Sequence, residues 1–209
     1  MNAVWISALG FAFPTLGSVV AFAQQGTTHE VIAYIEGTVF LDGQRLEPSA
    51  SRLPLKEDSS VRTENGRVEI LLAGGDTLFV GQNGSIRFSG NRGLNSSRFE
   101  ILSGSAVIIT GELGPAVACE EEVQLSDSGV FRFDVHGVSD ERFCRVRVYK
   151  GAAAAQMPSF VSVLTNSKMA DLNRRCGDHT QRNDFNIEDI DGLDRWSRQL
   201  AASDARRQL

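Results

Sequence analysis

The stretch Val61-Arg-Thr-Glu-Asn-Gly-Arg-Val-Glu-Ile-Leu-Leu-Ala-Gly-Gly-Asp-Thr-Leu-Phe-Val80 decides the fold class, together with Gly84-Ser-Ile-Arg-Phe88 and Arg98-Phe-Glu-Ile-Leu-Ser-Gly-Ser-Ala-Val-Ile-Ile109. Short apolar runs alternate here with turn signals. Asn65-Gly66, Gly74-Gly75-Asp76 and Asn83-Gly84 tolerate positive φ, so the chain can reverse direction every eight to twelve residues or so. Within Arg67 to Leu72, Val68, Ile70 and Leu72 share one face and Arg67 and Glu69 the other, the period of a half-buried strand. Nothing in the stretch is a catalytic signature.

Working outward, the pattern continues on both sides. Val31-Ile-Ala-Tyr-Ile35 and Thr38-Val-Phe-Leu41 flank Glu36-Gly37 and read as a strand pair, followed by a turn at Asp42-Gly43. Glu47 to Ser60 contains Pro48 and Pro54, which cannot donate to a ladder, and reads as a loop with Leu53 and Leu55 tucked underneath. Phe131, Phe133 and Val135 alternate, as do Val146 and Val148, and Phe160 to Leu164 reads as a further strand. Asp171 to Asp184 is polar and reads as loop. The final segment changes period: Ile187, Ile190, Leu193, Trp196 and Leu200 fall at helical steps, with Asn186 as cap and Glu188 and Asp189 in the first turn.

One unit recurs. Arg67 to Gly75 and Arg98 to Ala106 share Arg, Glu, Ile and Leu at common offsets with a glycine following, and Arg145 to Ala153 repeats the outline. A looser signature places apolar residues around a glycine at Gly37, Gly104 and Gly151, where a strand would bend or backbones approach closely. The intervals are irregular. The expected fold is therefore all-β, built from stacked two-strand motifs as an irregular β-solenoid or a sandwich-like arrangement, with a C-terminal amphipathic helix.

Composition agrees with this reading. A chain of 209 residues with 42% hydrophobic content can bury one sizeable core, and twenty Gly disfavour long helices. The net charge of -5 gives no electrostatic footprint for a phosphate backbone, so nucleic acid is not expected as a partner. Residues 1–23 carry no charged side chain and end in Ala21-Phe22-Ala23, which predicts a signal peptide; residues 30–172 form the β domain, and residues 173–209 a polar loop and helix. No later segment is apolar for long enough to span a membrane.

The motif that opens this section resembles the FecR family domain. The Gly37-x-Val39 strands, the Val61 to Leu78 run with its strand threonine and glycine turn, and Leu102-Ser-Gly-Ser-Ala106 carry the resemblance, which covers Val31 to Ile109 and extends less fully to Leu172. It implies an all-β domain of stacked two-strand motifs in the cell envelope, exported to the periplasm or outer envelope. Signalling members carry a cytoplasmic sigma-regulating segment and a transmembrane helix before this domain. Here a leader stands in their place, as in the stand-alone exported members.

Candidate chemistry is sparse. In an oxidising compartment, three cysteines predict one disulfide and a leftover thiol; Cys119 with Cys144 is the favoured pair because both border strands of one region, and Cys176 with either is the alternative. Cys176 and His179 lack the further ligands that structural zinc needs, and His29 and His136 are isolated. Glu120 to Glu122 reads as a solvated edge, and Asn83-Gly-Ser85 and Asn95-Ser-Ser97 as turns. No catalytic, cofactor or metal site is expected, and the chain is not expected to be an enzyme. The apolar stripe of Leu193, Trp196 and Leu200 has two readings, docking on the domain's own sheet or presentation to a partner. The expected function is binding of another envelope component in signalling or scaffolding; the alternative is a module for envelope polysaccharide or a small ligand.

Overall fold

The computed structural model describes residues 30–48, 52–89, 96–111, 114–137, 142–173 and 182–207. The signal peptide assigned to residues 1–23, His29, Asn95, Cys176 and His179 lie outside the described residues. The strands are β1 (Val31–Glu36), β2 (Val39–Leu41), β3 (Gln44–Arg45), β4 (Leu53–Pro54), β5 (Ser60–Thr63), β6 (Arg67–Leu71), β7 (Thr77–Val80), β8 (Ser85–Phe88) and β9 (Arg98–Ile109). They continue with β10 (Ala116–Cys119), β11 (Glu121–Leu125), β12 (Val130–His136), β13 (Phe143–Lys150), β14 (Ala152–Gln156), β15 (Val161–Thr165), β16 (Lys168–Leu172) and β17 (Arg182–Asp184). One helix, α1 (Gly192–Arg207), ends the described chain.

The ladders assemble two sheets that face each other. Sheet A runs β4-β1-β6-β7-β9-β12-β13-β16-β17. Sheet B runs β3-β2-β5-β8-β9-β10-β11-β14-β15. Strand β9 is the centre of both: Arg98 to Ser103 pairs with β8 and β10 in sheet B, and Gly104 to Ile109 pairs with β7 and β12 in sheet A. Among the described residues, every strand before β9 pairs with other earlier strands or with β9, and every later one with later strands or with β9.

Alternation supplies the core. On most strands the inward positions are apolar, and Ile32, Val61, Ile70, Leu78, Ile86, Phe99, Ile108, Val123, Phe131, Phe133, Val146 and Leu164 form one buried layer between the sheets. The arrangement is the sandwich-like form of the expected all-β fold.

The chain builds these layers by alternating hairpins within one sheet, such as β6–β7, β12–β13 and β14–β15, with crossings from sheet to sheet. In the first half four crossings share one end of the sandwich, where Gly37 joins β1 to β2, Asn65-Gly66 joins β5 to β6, Gly81 to Gly84 joins β7 to β8 and Gly104 bends β9, while β4 enters and leaves sheet A at the other end, beside Val31. In the second half they lie at the opposite end, at Ser126 to Gly129, Gly151 and Asn166-Ser167. Gly37, Gly104 and Gly151 all have positive φ, at 73°, 79° and 94°. Crossing backbones also touch: a Cβ on Gly37 would lie 2.2 Å from the Asn65 carbonyl, and one on Gly104 would lie 2.6 Å from the Gly84 Cα. Only glycine fits such a corner.

Two threonines fasten these corners in the same way. The Thr63 hydroxyl accepts the Gly84 amide at 2.8 Å and donates to the Gly81 carbonyl at 2.6 Å, while its own amide donates to the Gly84 carbonyl. The Thr110 hydroxyl accepts the Gly129 amide at 2.6 Å and donates to the Ser126 carbonyl at 2.8 Å, and its amide donates to the Gly129 carbonyl.

Four readings of the sequence are corrected. β1 and β2 are not a pair, because the positive φ of Gly37 sends the chain to the other sheet, where β2 pairs with β5. The Arg-x-Glu-Ile-Leu echo does not mark one repeated position, since β6 lies in sheet A and the start of β9 in sheet B. Sheet A continues past residue 172, because β17 pairs with β16 inside the segment read as loop. The helix starts at Gly192 rather than near Asn186, whose side chain accepts only the Glu188 amide of a local turn.

Candidate functional site

Asp191 is the residue that starts α1. Its Oδ1 accepts the amides of Leu193 and Asp194 at 2.8 and 3.1 Å, while the Asp194 carboxylate reaches back to the Asp191 amide at 3.1 Å. This is a capping box made from two aspartates. It fixes the helix across the outer face of sheet A. Leu193 and Trp196, each 8% exposed, pack on Phe79 of β7 and Val107 of β9, with Leu200, Ile109 and Val130 at the margin. Trp196 meets the Phe79 ring edge-on at 5.6 Å and Tyr34 at 6.4 Å. The three side chains considered for a partner, Leu193, Trp196 and Leu200, thus lie against the chain's own sheet.

Beneath the helix start sits a buried ionic cluster. Arg132 of β12 holds Asp134 through Nε at 3.0 Å, Asp194 through Nη1 at 2.6 Å and Asp191 through Nη2 at 2.7 Å. Asp134 also accepts the Ser105 hydroxyl at 2.7 Å and pairs with Arg147 at 3.1 Å. Burial would lower the Arg132 pKa, but hydrogen bonding to Asp191 and the charges of Asp134 and Asp194 outweigh it and hold the guanidinium above its ordinary value. The Arg132 hydrogen bond in turn holds Asp191 below the usual carboxylate range. Three acceptors around one rigid fork make this a structural joint between helix and sheet. The sequence shows its parts, an Asp-x-x-Asp box and polar residues between Phe131 and Val135, but not their meeting.

Asp76 is a second buried carboxylate. Its Oδ1 accepts the Gly111 amide at 2.7 Å and its Oδ2 has no hydrogen-bond partner, so desolvation, partly offset by that amide, pushes its pKa up to about 7.

Beside the helix, Arg145, Arg147, Met169, Phe185, Asn186 and Asp189 line an open cleft of about 190 Å³. Its guanidiniums are occupied: Arg145 grips Asp171 through two bonds of 2.7 and 2.8 Å, and Arg147 pairs with Asp134. An anion entering here would have to displace carboxylates.

The outer face of sheet B is different in kind, because no helix among the described residues covers it. Register places Ala116, Gln124, Ala154 and Val163 in one row and Ala118, Glu122, Gln156 and Val161 in the next. Val161 and Val163, 50% and 47% exposed, end those rows on the edge strand β15. Towards the centre the face becomes charged, with the Arg98–Glu122 ion pair and Arg62 over the Phe40 ring at 4.2 Å. The result is a face of alanines and polar side chains with two exposed valines at its edge and paired charges toward its centre.

The remaining sequence features are placed as follows. Cys119 of β10 and Cys144 of β13 form a disulfide joining the two sheets, with Cα atoms 5.8 Å apart. Glu120 occupies a positive-φ turn and pairs with Arg142 at 2.9 Å, and Asn83 occupies another such turn. His136 stacks on Phe143 at 5.1 Å. Among the described residues no three His, Cys, Asp or Glu side chains are grouped to hold a metal ion, and no helix is long and apolar enough to cross a membrane.

No family model matches the chain, and no curated protein matches it. Among solved structures it is similar to two crystal structures of a proposed anti-sigma factor from Parabacteroides distasonis, at 14% and 13% identity, both with a TM-score of 0.50. Each match covers 62% of this chain and 61% of the other, so the chain spans less than two thirds of the length of the proteins it matches. The likeness is one of fold.

Proposed function

We propose that this chain is a non-catalytic, exported protein of the cell envelope whose FecR-like sandwich binds another envelope protein, in signalling or scaffolding, through the outer face of sheet B. One observation carries the reading: α1 of the same chain packs on the outer face of sheet A at Phe79 and Val107, whereas no described helix packs on that of sheet B, where Val161 and Val163 are exposed at the end of rows of alanines and polar side chains. Apolar residues kept in water beside ordered polar ones are the composition of a protein interface. The anti-sigma description of the structural neighbours, the resemblance of Val31 to Ile109 to the FecR domain, and the leader ending at Ala23 support the envelope and signalling elements.

The test is site-directed photocrosslinking in intact cells. A photoreactive residue at Arg87 or Gln156, both on the exposed side of sheet B, is expected to capture one stoichiometric envelope protein, while the same residue at Gln199 on α1 captures none. Recovery of glycan alone from the sheet B positions would overturn the reading in favour of a polysaccharide-binding module.

A further inference from the structure

The pairing of strands repeats itself along the chain. In the first half β5 pairs with β8, β8 with the start of β9, β6 with β7, and β7 with the end of β9. In the second half the end of β9 pairs with β12, β12 with β13, β10 with β11, and β11 with β14. The registers agree pair for pair. Ser60–Arg87 recurs as Val107–Arg132, Arg87–Glu100 as Arg132–Arg147, Glu69–Phe79 as Ala116–Gln124, and Phe79–Val107 as Gln124–Ala154. The register shift between Ser85 and Ile86 recurs between Val130 and Phe131, the clamp of Thr63 recurs at Thr110, and positive φ at Asn83 and Gly104 recurs at Ser128 and Gly151. The sequence echo of Arg98 to Ala106 in Arg145 to Ala153 belongs to the same correspondence. Residues 60–109 and 107–156 are two copies of one unit that overlap at the end of β9.

The second copy has its sheets exchanged: β6 and β7 lie in sheet A, and their equivalents β10 and β11 lie in sheet B. β15 borders β14 in the second copy as β12 borders β9 in the first. The open face of sheet B thereby acquires a counterpart. The row Glu69, Phe79, Val107 and Arg132 across sheet A corresponds to Ala116, Gln124, Ala154 and Val163 across sheet B. The next row, Leu71, Thr77, Ile109 and Val130, corresponds to Ala118, Glu122, Gln156 and Val161. On sheet A these two rows are the seat of α1, with Leu193 and Trp196 on Phe79 and Val107, and with Ile109, Val130 and Leu200 at the margin. The exposed Val163 and Val161 stand where Arg132 and Val130 stand beneath the helix.

Resting on the reading of sheet B given above, we infer that this second seat takes an amphipathic helix of the envelope partner, laid over β11, β14 and β15 as α1 is laid over β7, β9 and β12. Its chemistry differs from that of α1 in two ways. Arg132 grips the acidic first turn of α1 through Asp191 and Asp194, and Val163 stands in its place on sheet B. The partner helix needs no acidic first turn, and α1 of a second copy would set its aspartates against a valine. Ala116, Ala118 and Ala154 stand where Glu69, Leu71 and Val107 do, so the partner helix supplies the bulk itself, with large apolar residues at three- and four-residue steps facing the alanines. α1 is the sole α-helix among the described residues and is already held on sheet A, so the occupant comes from another chain.

Photoreactive residues at Gln156 and Val163, both exposed, test this in intact cells through the positions they reach on the captured protein. Those positions are expected to fall on one stripe of the partner's sequence, at three- and four-residue steps. Ala154→Lys, at a partly exposed site, should cut capture from Gln156 roughly tenfold or more by shutting an unpaired ammonium beneath the helix, with the melting temperature unchanged. Gln199→Lys on α1 should leave capture as it was. Captured positions that alternate as on a strand, positions scattered among loops, or full capture by Ala154→Lys would each overturn the helix and leave a protein partner on sheet B standing. Capture of a second copy, of the chain's own residues 1–29, or of no protein at all overturns both.

Discussion

The Arg132 guanidinium meets the Asp194 carboxylate at 2.6 Å beneath the first turn of α1, and both side chains are almost completely buried. Removing one member of such a group leaves its partners charged and dry. Arg132→Ala is therefore expected to cost about 3–5 kcal/mol, read from the denaturant midpoint. Arg132→Lys should recover little of it, since one ammonium cannot reproduce a planar fork shared by Asp134, Asp191 and Asp194. A variant as stable as the natural chain would show that the helix is held by Leu193 and Trp196 alone.

The two threonine clamps predict an additive pair of losses. Thr63→Val and Thr110→Val keep shape but leave a buried glycine amide and a carbonyl without their hydroxyl partner, for about 1–3 kcal/mol each. The two sites lie at opposite ends of the sandwich and share no partner, so the double variant should show the sum within about 0.5 kcal/mol. A markedly smaller loss in the double variant would mean that the corners open together.

Asp76 gives a pH dependence of definite sign. Its folded pKa of about 7 lies above the ordinary aspartate value of 3.8, so between these values the folded state binds more protons than the unfolded one. Its contribution to stability is full in acid and falls as pH rises through that window. Asp76→Asn keeps an acceptor for the Gly111 amide and removes the charge, so it should raise the melting temperature above neutral pH, and the gain should shrink toward pH 4 or so. A gain that is the same at both ends would assign the effect to packing.

Reduction of the Cys119–Cys144 bond, or Cys119→Ser with Cys144→Ser, should cost about 3 kcal/mol through restored freedom of the unfolded chain, given a sequence separation of 25. Chemical denaturation with and without reductant measures it. The serine variant should be insensitive to reductant.

Local information reached a good part of this architecture. The alternation at Val68, Ile70, Phe131 and Phe133 identifies inward faces because a strand has only two sides, and the glycines at 37, 104 and 151 are sheet crossings because positive φ is a property of single residues. The partner of each strand was not legible. Residues 31–35 and 38–41 look like a hairpin until Gly37 is seen to separate layers, and the parallel contact of β10 with β9 has no local signature. Arg132 and Asp134 read as solvent-facing, since what buries them arrives about sixty residues later.

Because β9 is the one described strand held in both ladders, it also lies on the path of mechanical load. Tension applied at the β15 edge runs through β14, β11 and β10 to the first half of β9, turns at Gly104, and leaves by β7 and β12 into the surface on which α1 rests. A load on one layer therefore reaches the other through more than one tie, the bend of β9 at Gly104 and the Cys119–Cys144 bond between β10 and β13 among them.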